Sequence, residues 1–127
     1  MAATAAFAST PKNALIQVST ANTNFDGSGT LGTLLTVGAN GAYIKKIVAT
    51  AAEATTAGCV RIFLSIDGGS TKRLIGEIAI AAATPSATVR VATGTLTLNE
   101  VLPAAAILYA STHNAEDINV RCEYGEY

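Results

Sequence analysis

Short β-prone runs separated by turn residues are the feature that most constrains how this chain folds. The clearest case is Cys59–Ile66, followed by Asp67-Gly68-Gly69-Ser70 and a second run, Arg73–Ala82. Asp-Gly and Gly-Gly accept the positive φ angles that tight hairpin turns require. The pattern therefore predicts an antiparallel hairpin in the middle of the chain.

Similar runs recur along the sequence, and none of its segments predicts a convincing helix. The other predicted strands are Leu15–Ser19, Leu31–Val37, Tyr43–Thr50, Ala87–Ala92, Thr95–Leu98, Ala106–Ser111 and Asp117–Glu123. Short strands with frequent turns are typical of a sandwich or barrel. We therefore predict an all-β fold, a jelly-roll-like β-sandwich of about eight short antiparallel strands. An extended N-terminal arm over residues 1–12 is expected to precede a single sandwich domain over residues 13–127.

Charged residues are scarce for a chain of this size. They make up 13% of the 127 residues, against roughly 25% in an average globular domain. Two explanations stay open: neutral polar residues cover the surface, or much of the surface is buried against neighbouring subunits.

The charge pattern and the hydropathy argue against two classes of partner. The net charge is −1 and the basic residues are scattered, with adjacent pairs only at Lys45-Lys46 and Lys72-Arg73, so we expect no nucleic-acid binding. The longest apolar runs, such as Ile78–Ala83, are far shorter than the roughly 20 residues that span a bilayer, so we expect no membrane insertion. Met1–Lys12 lacks the charged start of a secretory signal.

No residue pattern predicts an active site, a metal site or a cofactor. His113 is the only histidine, and no G-x-S-x-G elbow accompanies it, so neither a multi-histidine metal site nor a serine triad is expected. Cys59 and Cys122 have no second cysteine nearby, which favours two free thiols in a reducing cytosol, although a disulfide between them stays open.

Two glycine-containing patterns resemble ligand motifs only superficially. Gly27-Ser28-Gly29-Thr30-Leu31-Gly32 matches the dinucleotide fingerprint, but a predicted strand follows it where the mechanism needs a helix N-terminus. Asp26 and Asp67 each precede a glycine, yet neither loop has the spaced acids of a calcium site. We interpret all of these segments as loops and turns.

The two ends of the chain are the predicted partner contacts. The N-terminal arm is small and nearly uncharged, with Phe7 as its bulky residue and Pro11 near its end. The C-terminus places Tyr124 and Tyr127 beside two glutamates. Tyrosine is enriched at interfaces because it buries a large area and keeps a polar tip.

Several segments together resemble small virion structural proteins of tailed bacteriophages. The segments that carry the resemblance are Pro11-Lys12-Asn13, Ser19–Thr30, Gly41, Val60–Leu64, Leu102-Pro103, Ala110–Glu116 and the closing Gly125-Glu126-Tyr127. The resemblance extends over nearly the whole chain from Pro11 onward.

The resemblance implies a capsid decoration or cement protein with no catalytic residues and no cofactor. Such proteins form homotrimers on the outer surface of the head and bridge subunits of the major capsid protein. The expected location is therefore the virion, assembled in the bacterial cytoplasm. The alternative is a tail or adsorption protein that binds carbohydrate, although lectins of this type usually present more aromatic side chains than the three Phe and four Tyr found here.

Overall fold

The computed structural model describes residues 9–127, and eight β-strands account for most of them. The strands are β1 (Thr10–Val18), β2 (Gly32–Thr36), β3 (Ala42–Ala51), β4 (Gly58–Ser65), β5 (Arg73–Ile80), β6 (Thr93–Leu102), β7 (Ile107–Thr112) and β8 (Ile118–Glu126). Within residues 9–127 there is no helix, and hence none long and apolar enough to cross a membrane.

The strands form two four-stranded sheets that pack face to face. Sheet A has the order β1-β8-β3-β6, and sheet B has the order β2-β7-β4-β5. All neighbouring strands within both sheets are antiparallel. The predicted all-β sandwich of about eight antiparallel strands is therefore confirmed.

The strand order follows a simple rule. The first strand pairs with the last, β2 with β7, β3 with β6, and β4 with β5. One long antiparallel hairpin, rolled up so that its layers form two sheets, gives these pairings. We therefore interpret the connectivity as jelly-roll-like.

Side chains of alternate parity fill the space between the sheets, as the period of two in a strand requires. In β8 these are Ile118, Val120 and Cys122, each at most 1% exposed. Ile44 lies beside them on the inner face of sheet A, Ile62 of β4 faces them from sheet B, and both are fully buried. Each such aliphatic side chain stabilises the fold by about 1.5–3 kcal/mol on burial.

Glycines allow a close approach where β5 meets β6 at one side of the sandwich. A Cβ atom on Gly76 would lie 2.6 Å from the Leu96 side chain, and one on Gly94 would lie 2.6 Å from the Ile78 side chain. No side chain fits at either position unless its neighbour moves. These glycines therefore set how closely the two sheets approach at this side.

One predicted strand is wrong. Residues 87–92 form no strand: residues 86–89 make a turn in which the Ser86 hydroxyl accepts hydrogen bonds from the N–H groups of Thr88 and Val89, and residues 90–92 are irregular. The strand predicted at Thr95–Leu98 instead runs from Thr93 to Leu102 and passes through Asn99, whose φ is 49°.

Two further boundaries depend on local pairing. Strand β1 begins at Thr10 and pairs with β8 from its first residue, so residues 10–12 of the predicted arm belong to the sheet. The glycine-rich stretch that ends at Gly32 leads directly into β2, as its interpretation as a loop between strands requires.

Candidate interaction surface

The two sheets differ in what lies on the faces that point away from the core. On the two central strands of sheet B, β4 and β7, most outward side chains are buried although they are outside the main core cluster, whereas Glu77 and Ala79 on the edge strand β5 are exposed. The buried ones are Arg61, Phe63, Ser65, Tyr109 and Ser111. The loop over residues 19–31 and the turn over residues 66–72 contact them, so the chain covers the centre of this face itself.

Asn22 holds the covering loop in shape. Its side-chain amide donates to the carbonyl oxygens of Ser28 and Thr30 at 3.0 and 2.9 Å, and its side-chain oxygen accepts from the Asn24 N–H at 3.0 Å. Its backbone N–H donates to the Thr112 carbonyl at 2.9 Å. One buried side chain thus satisfies the backbone of the loop and fixes the loop against β7.

Arg61 joins the loop to the sheet. Its guanidinium donates to the Asn22 carbonyl at 3.2 Å and lies 3.2 Å from His113 Nδ1. The Phe25 ring stacks on it with its centroid 4.2 Å from the guanidinium carbon. The Arg61 Nε lies 3.1 Å from a carboxylate oxygen of Glu77, a close ion pair in which the N–H does not point at the oxygen. A charge that is 3% exposed is therefore compensated from several sides.

Two further polar groups beside Arg61, the Cys59 thiol and His113, make structural contacts, whereas the buried Ser111 hydroxyl opposite Arg61 on β7 has no hydrogen-bond partner among the described residues. The Cys59 thiol donates to Glu77 at 3.4 Å. Partial burial and this hydrogen bond raise the pKa of the Cys59 thiol, which keeps it protonated and weakly nucleophilic. His113 accepts from Arg61 through Nδ1 only when it is the neutral tautomer with its proton on Nε2. The cluster therefore anchors a loop.

Sheet A presents an outer face that no segment of residues 9–127 is seen to cover. Strand pairing aligns its outward residues in four-residue rows, read from β1 to β6. The rows are Pro11, Gly125, Tyr43, Val101; then Asn13, Glu123, Lys46, Thr97; then Leu15, Arg121, Val48, Thr95; and last Gln17, Asn119, Thr50, Thr93. Every one of these except Gly125 is at least partly exposed.

Few charges interrupt this face, and three of them, Lys46, Arg121 and Glu123, lie close to one another. Glu123 lies 3.3 Å from the Lys46 ammonium and 3.7 Å from the Arg121 guanidinium. The amides of Gln17 and Asn119 are hydrogen-bonded at 3.0 Å. The exposed apolar side chains are Leu15 at 67% and Val101 at 66%. The face is therefore broad and mostly neutral, and several of its polar side chains bond to one another.

The predicted contact residues are distributed unevenly. Pro11 and Tyr124 line one cleft of about 450 Å³ at the end of sheet A, together with Tyr43 and Asn99. Tyr124 is 9% exposed, and burial raises the pKa of its phenol. Tyr127 is 41% exposed, and its N–H donates to the Gly41 carbonyl. Phe7 lies outside the described residues.

An ion pair fixes the C-terminal strand beside this cleft. The Lys12 ammonium lies 2.6 Å from the Glu126 carboxylate, which also accepts from the Gly38 N–H. The hydrogen bonds from Lys12 and Gly38 lower the pKa of the Glu126 carboxyl, and the same carboxylate raises the pKa of Lys12. The chain end that the sequence marks as an interface is thus held firmly in place.

Sequence reasoning did not identify the Arg61 cluster or the open face of sheet A. The only sequence signal for the cluster is a single arginine inside the otherwise apolar run Cys59–Ile66. Two of its partners, Asn22 and His113, come from distant segments that only the sheet topology brings together. The two cysteines are free: Cys122 points into the core, where burial raises the pKa of its thiol to about 12, and Cys59 lies on the outward side of β4.

The described residues offer no metal centre, since no group of three His, Cys, Asp or Glu side chains in residues 9–127 is placed to bind an ion. Comparison with known proteins adds no further identification. Neither a scan against protein-family models nor a search of curated proteins returns a match to this chain.

Proposed function

We propose that this chain is a structural protein of a tailed-phage virion, a capsid decoration protein that binds the major capsid protein on the outer surface of the head. It acts as a homotrimer and uses neither a cofactor nor a catalytic residue. The observation that carries the proposal is the open outer face of sheet A, set beside the self-covered face of sheet B.

A broad face of this composition suits protein contact. A stable interface buries about 800 Å² on each partner, which a four-stranded face can supply and a small cleft cannot. Removing charges from water is costly unless they are paired. Of the charged side chains on this face, Lys46, Arg121 and Glu123 are already grouped around one another, and Lys45 lines the cleft at its end.

The mechanical role follows from where such contacts lie. A packaged genome presses outward on the shell, and the load falls on the junctions between capsid subunits. A rigid sandwich that contacts both sides of a junction adds buried area where the subunits would separate. The antiparallel pairing along the full length of β1, β8 and β3 gives the rigidity that this role needs.

A carbohydrate-binding role in the tail or adsorption apparatus is the second candidate, and the cleft at the end of sheet A favours it. The cleft combines Tyr43 and Tyr124 with the amides of Asn13 and Asn99 and the carboxylate of Glu123. Such a mixture of ring faces and hydrogen-bonding groups is typical of small-ligand sites. A glycan array with the purified protein separates the two candidates.

The main proposal is tested by binding to heads purified from particles that lack the protein. The wild type should saturate them at a fixed ratio set by the lattice, measured by co-sedimentation. Val48→Glu adds a carboxylate in the middle of the open face, beside Arg121 of β8, and should weaken binding by at least about tenfold. Ile66→Glu is the matched control, because Ile66 is 70% exposed and lies after β4, in the turn that follows sheet B.

Two results would overturn the proposal. One is a wild-type protein that fails to bind heads. The other is a Val48→Glu variant that binds as tightly as the wild type and the Ile66→Glu control. Circular dichroism and urea unfolding of both variants separate lost binding from lost folding.

A further inference from the structure

The edges of the two sheets differ in how well they are protected. An edge strand carries unpaired backbone N–H and C=O groups, and proteins protect such edges with charges, prolines, bulges or short strands. Sheet B ends in β2 and β5. Strand β2 has only 5 residues and a register shift, and β5 carries Arg73 and Glu77 and pairs across a shift at Ile62.

Within residues 9–127 both edges of sheet A lack a further paired strand, although β6 pairs with β3 across a register shift between Ile44 and Lys46 and lies close to β5 at Gly94. Sheet A ends in β1 and β6, which have 9 and 10 residues. Residues 13–18 of β1 and 93–98 of β6 contain neither a charge nor a proline. Within residues 9–127, no backbone hydrogen bond joins β1 or β6 to a segment other than its neighbour in the sheet. Each edge is thus available to another extended strand.

The directions of these two strands make them complementary to each other. Each step across the sheet, from β1 to β8 to β3 to β6, is antiparallel, so β6 runs opposite to β1. A second copy placed in the same orientation beside the first brings its β1 antiparallel to the first copy's β6. This pairing occupies both edges, whereas a two-fold pairing of β1 with β1 leaves each β6 open.

We propose that β1 of one copy pairs with β6 of the next copy, and that this head-to-tail contact builds the homotrimer. A contact between two different surfaces of the same chain closes into a ring when its rotation allows, and three copies form the smallest ring with more than two-fold symmetry. The proposal deepens the proposed function and rests on it for the number of subunits.

The outward rows supply side-chain contacts for this joint. The row Leu15, Arg121, Val48, Thr95 begins on β1 and ends on β6. When the row continues into a neighbour, Leu15 of one copy meets Thr95 of the next and loses part of its 67% exposure. Within one copy the two residues are three strand spacings apart, about 14 Å, which is too far for a direct side-chain contact.

The test is a charge pair placed across the proposed joint. Leu15→Lys alone and Thr95→Glu alone should each raise the trimer dissociation constant by at least about tenfold, measured by sedimentation velocity. The double variant Leu15→Lys/Thr95→Glu places opposite charges across every joint and should recover most of the association. Ile66→Lys is the matched control for a charge at an equally exposed apolar position, and it should associate like the wild type.

Each other outcome counts against the joint. A wild type that stays monomeric at all concentrations overturns it. A double variant that dissociates more than either single variant also overturns it. If Leu15→Lys dissociates the assembly while Thr95→Glu does not, β1 pairs with β1 and the head-to-tail joint is wrong. A monomer that binds heads contradicts this inference alone. A β1–β6 trimer that fails to bind heads contradicts only the proposed function.

Discussion

The outer faces of sheets A and B are each built from four antiparallel strands, but the chain covers the centre of the face of sheet B and leaves the face of sheet A exposed within residues 9–127. On sheet B, the chain folds its own loop, residues 19–31, over the outward side chains and surrounds the buried Arg61 with partners. On sheet A, the outward side chains stay exposed, and Lys46, Arg121 and Glu123 pair within the face.

The difference shows how one face of a domain can stabilise the fold while the other face contacts another protein. A buried cation needs hydrogen bonds and counter-charge from several segments, which ties those segments to a single arrangement. A neutral outer face makes no such demand and can meet another protein without a large desolvation cost. The covered face therefore serves the fold, and the open face is free to serve an assembly.

Removing the buried side chain of Arg61 should have the largest effect on stability. Arg61→Ala leaves the Asn22 carbonyl without its donor and removes the stacking contact of Phe25. We expect the free energy of unfolding to fall by about 3 kcal/mol. Urea unfolding measures the loss, and hydrogen exchange should report faster exchange across residues 19–31. A loss below about 1 kcal/mol, the size of a surface change, would show that Arg61 does not anchor the loop.

Loosening the loop from within should have the next largest effect. Asn22→Ala removes the two donated hydrogen bonds and the accepted one that shape the loop, while Arg61 keeps its contacts to Glu77 and His113. We expect a loss of about 2 kcal/mol and cleavage within residues 19–31 by a protease under native conditions. Asn13→Ala, an exposed asparagine in β1, is the matched control and should resist the protease like the wild type.

These two predictions rest on contacts that the sequence did not reveal, and the reason is physical. Period-two patterns in β4 and β8 gave the strands and the inward residues, because burial on one face of a strand leaves a local signature. Glu77 lies opposite Arg61 in the predicted hairpin, but Arg61 meets Asn22 and His113 only because the sheet order brings distant segments together. No spacing in the sequence records such a meeting.

The wrongly predicted strand at residues 87–92 has a different origin. Alternating Val89 and Val91 imitate a strand, but the hydroxyl of Ser86 competes for the backbone N–H groups and closes a turn. The open face of sheet A was also beyond the sequence, because the rows depend on the register of four strands. Low charge indicated an interface without locating it.

Lowering the pH should test the ion pair between Lys12 and Glu126 at the end of sheet A. Because Lys12 and Gly38 lower the pKa of Glu126 in the folded state, its contribution to stability is present above its ordinary pKa of 4.5 and is lost as the pH falls through the lowered value. Glu126→Gln should therefore reduce the loss of stability below pH 4.5 relative to the wild type. Urea midpoints at several pH values measure it; identical slopes for the two proteins would contradict it.

The smallest expected effect is that of replacing an exposed arginine, Arg121, in contrast to the buried Arg61. Arg121→Ala removes an arginine from the open face, where its side chain is 43% exposed and lies 3.7 Å from Glu123. Solvent screens such a pair, and Lys46 still faces Glu123, so we expect a change below about 0.5 kcal/mol. The same urea titration used for Arg61→Ala measures it. A loss of 2 kcal/mol or more would mean that the open face stabilises the isolated domain, and the division of labour between the two faces would fail.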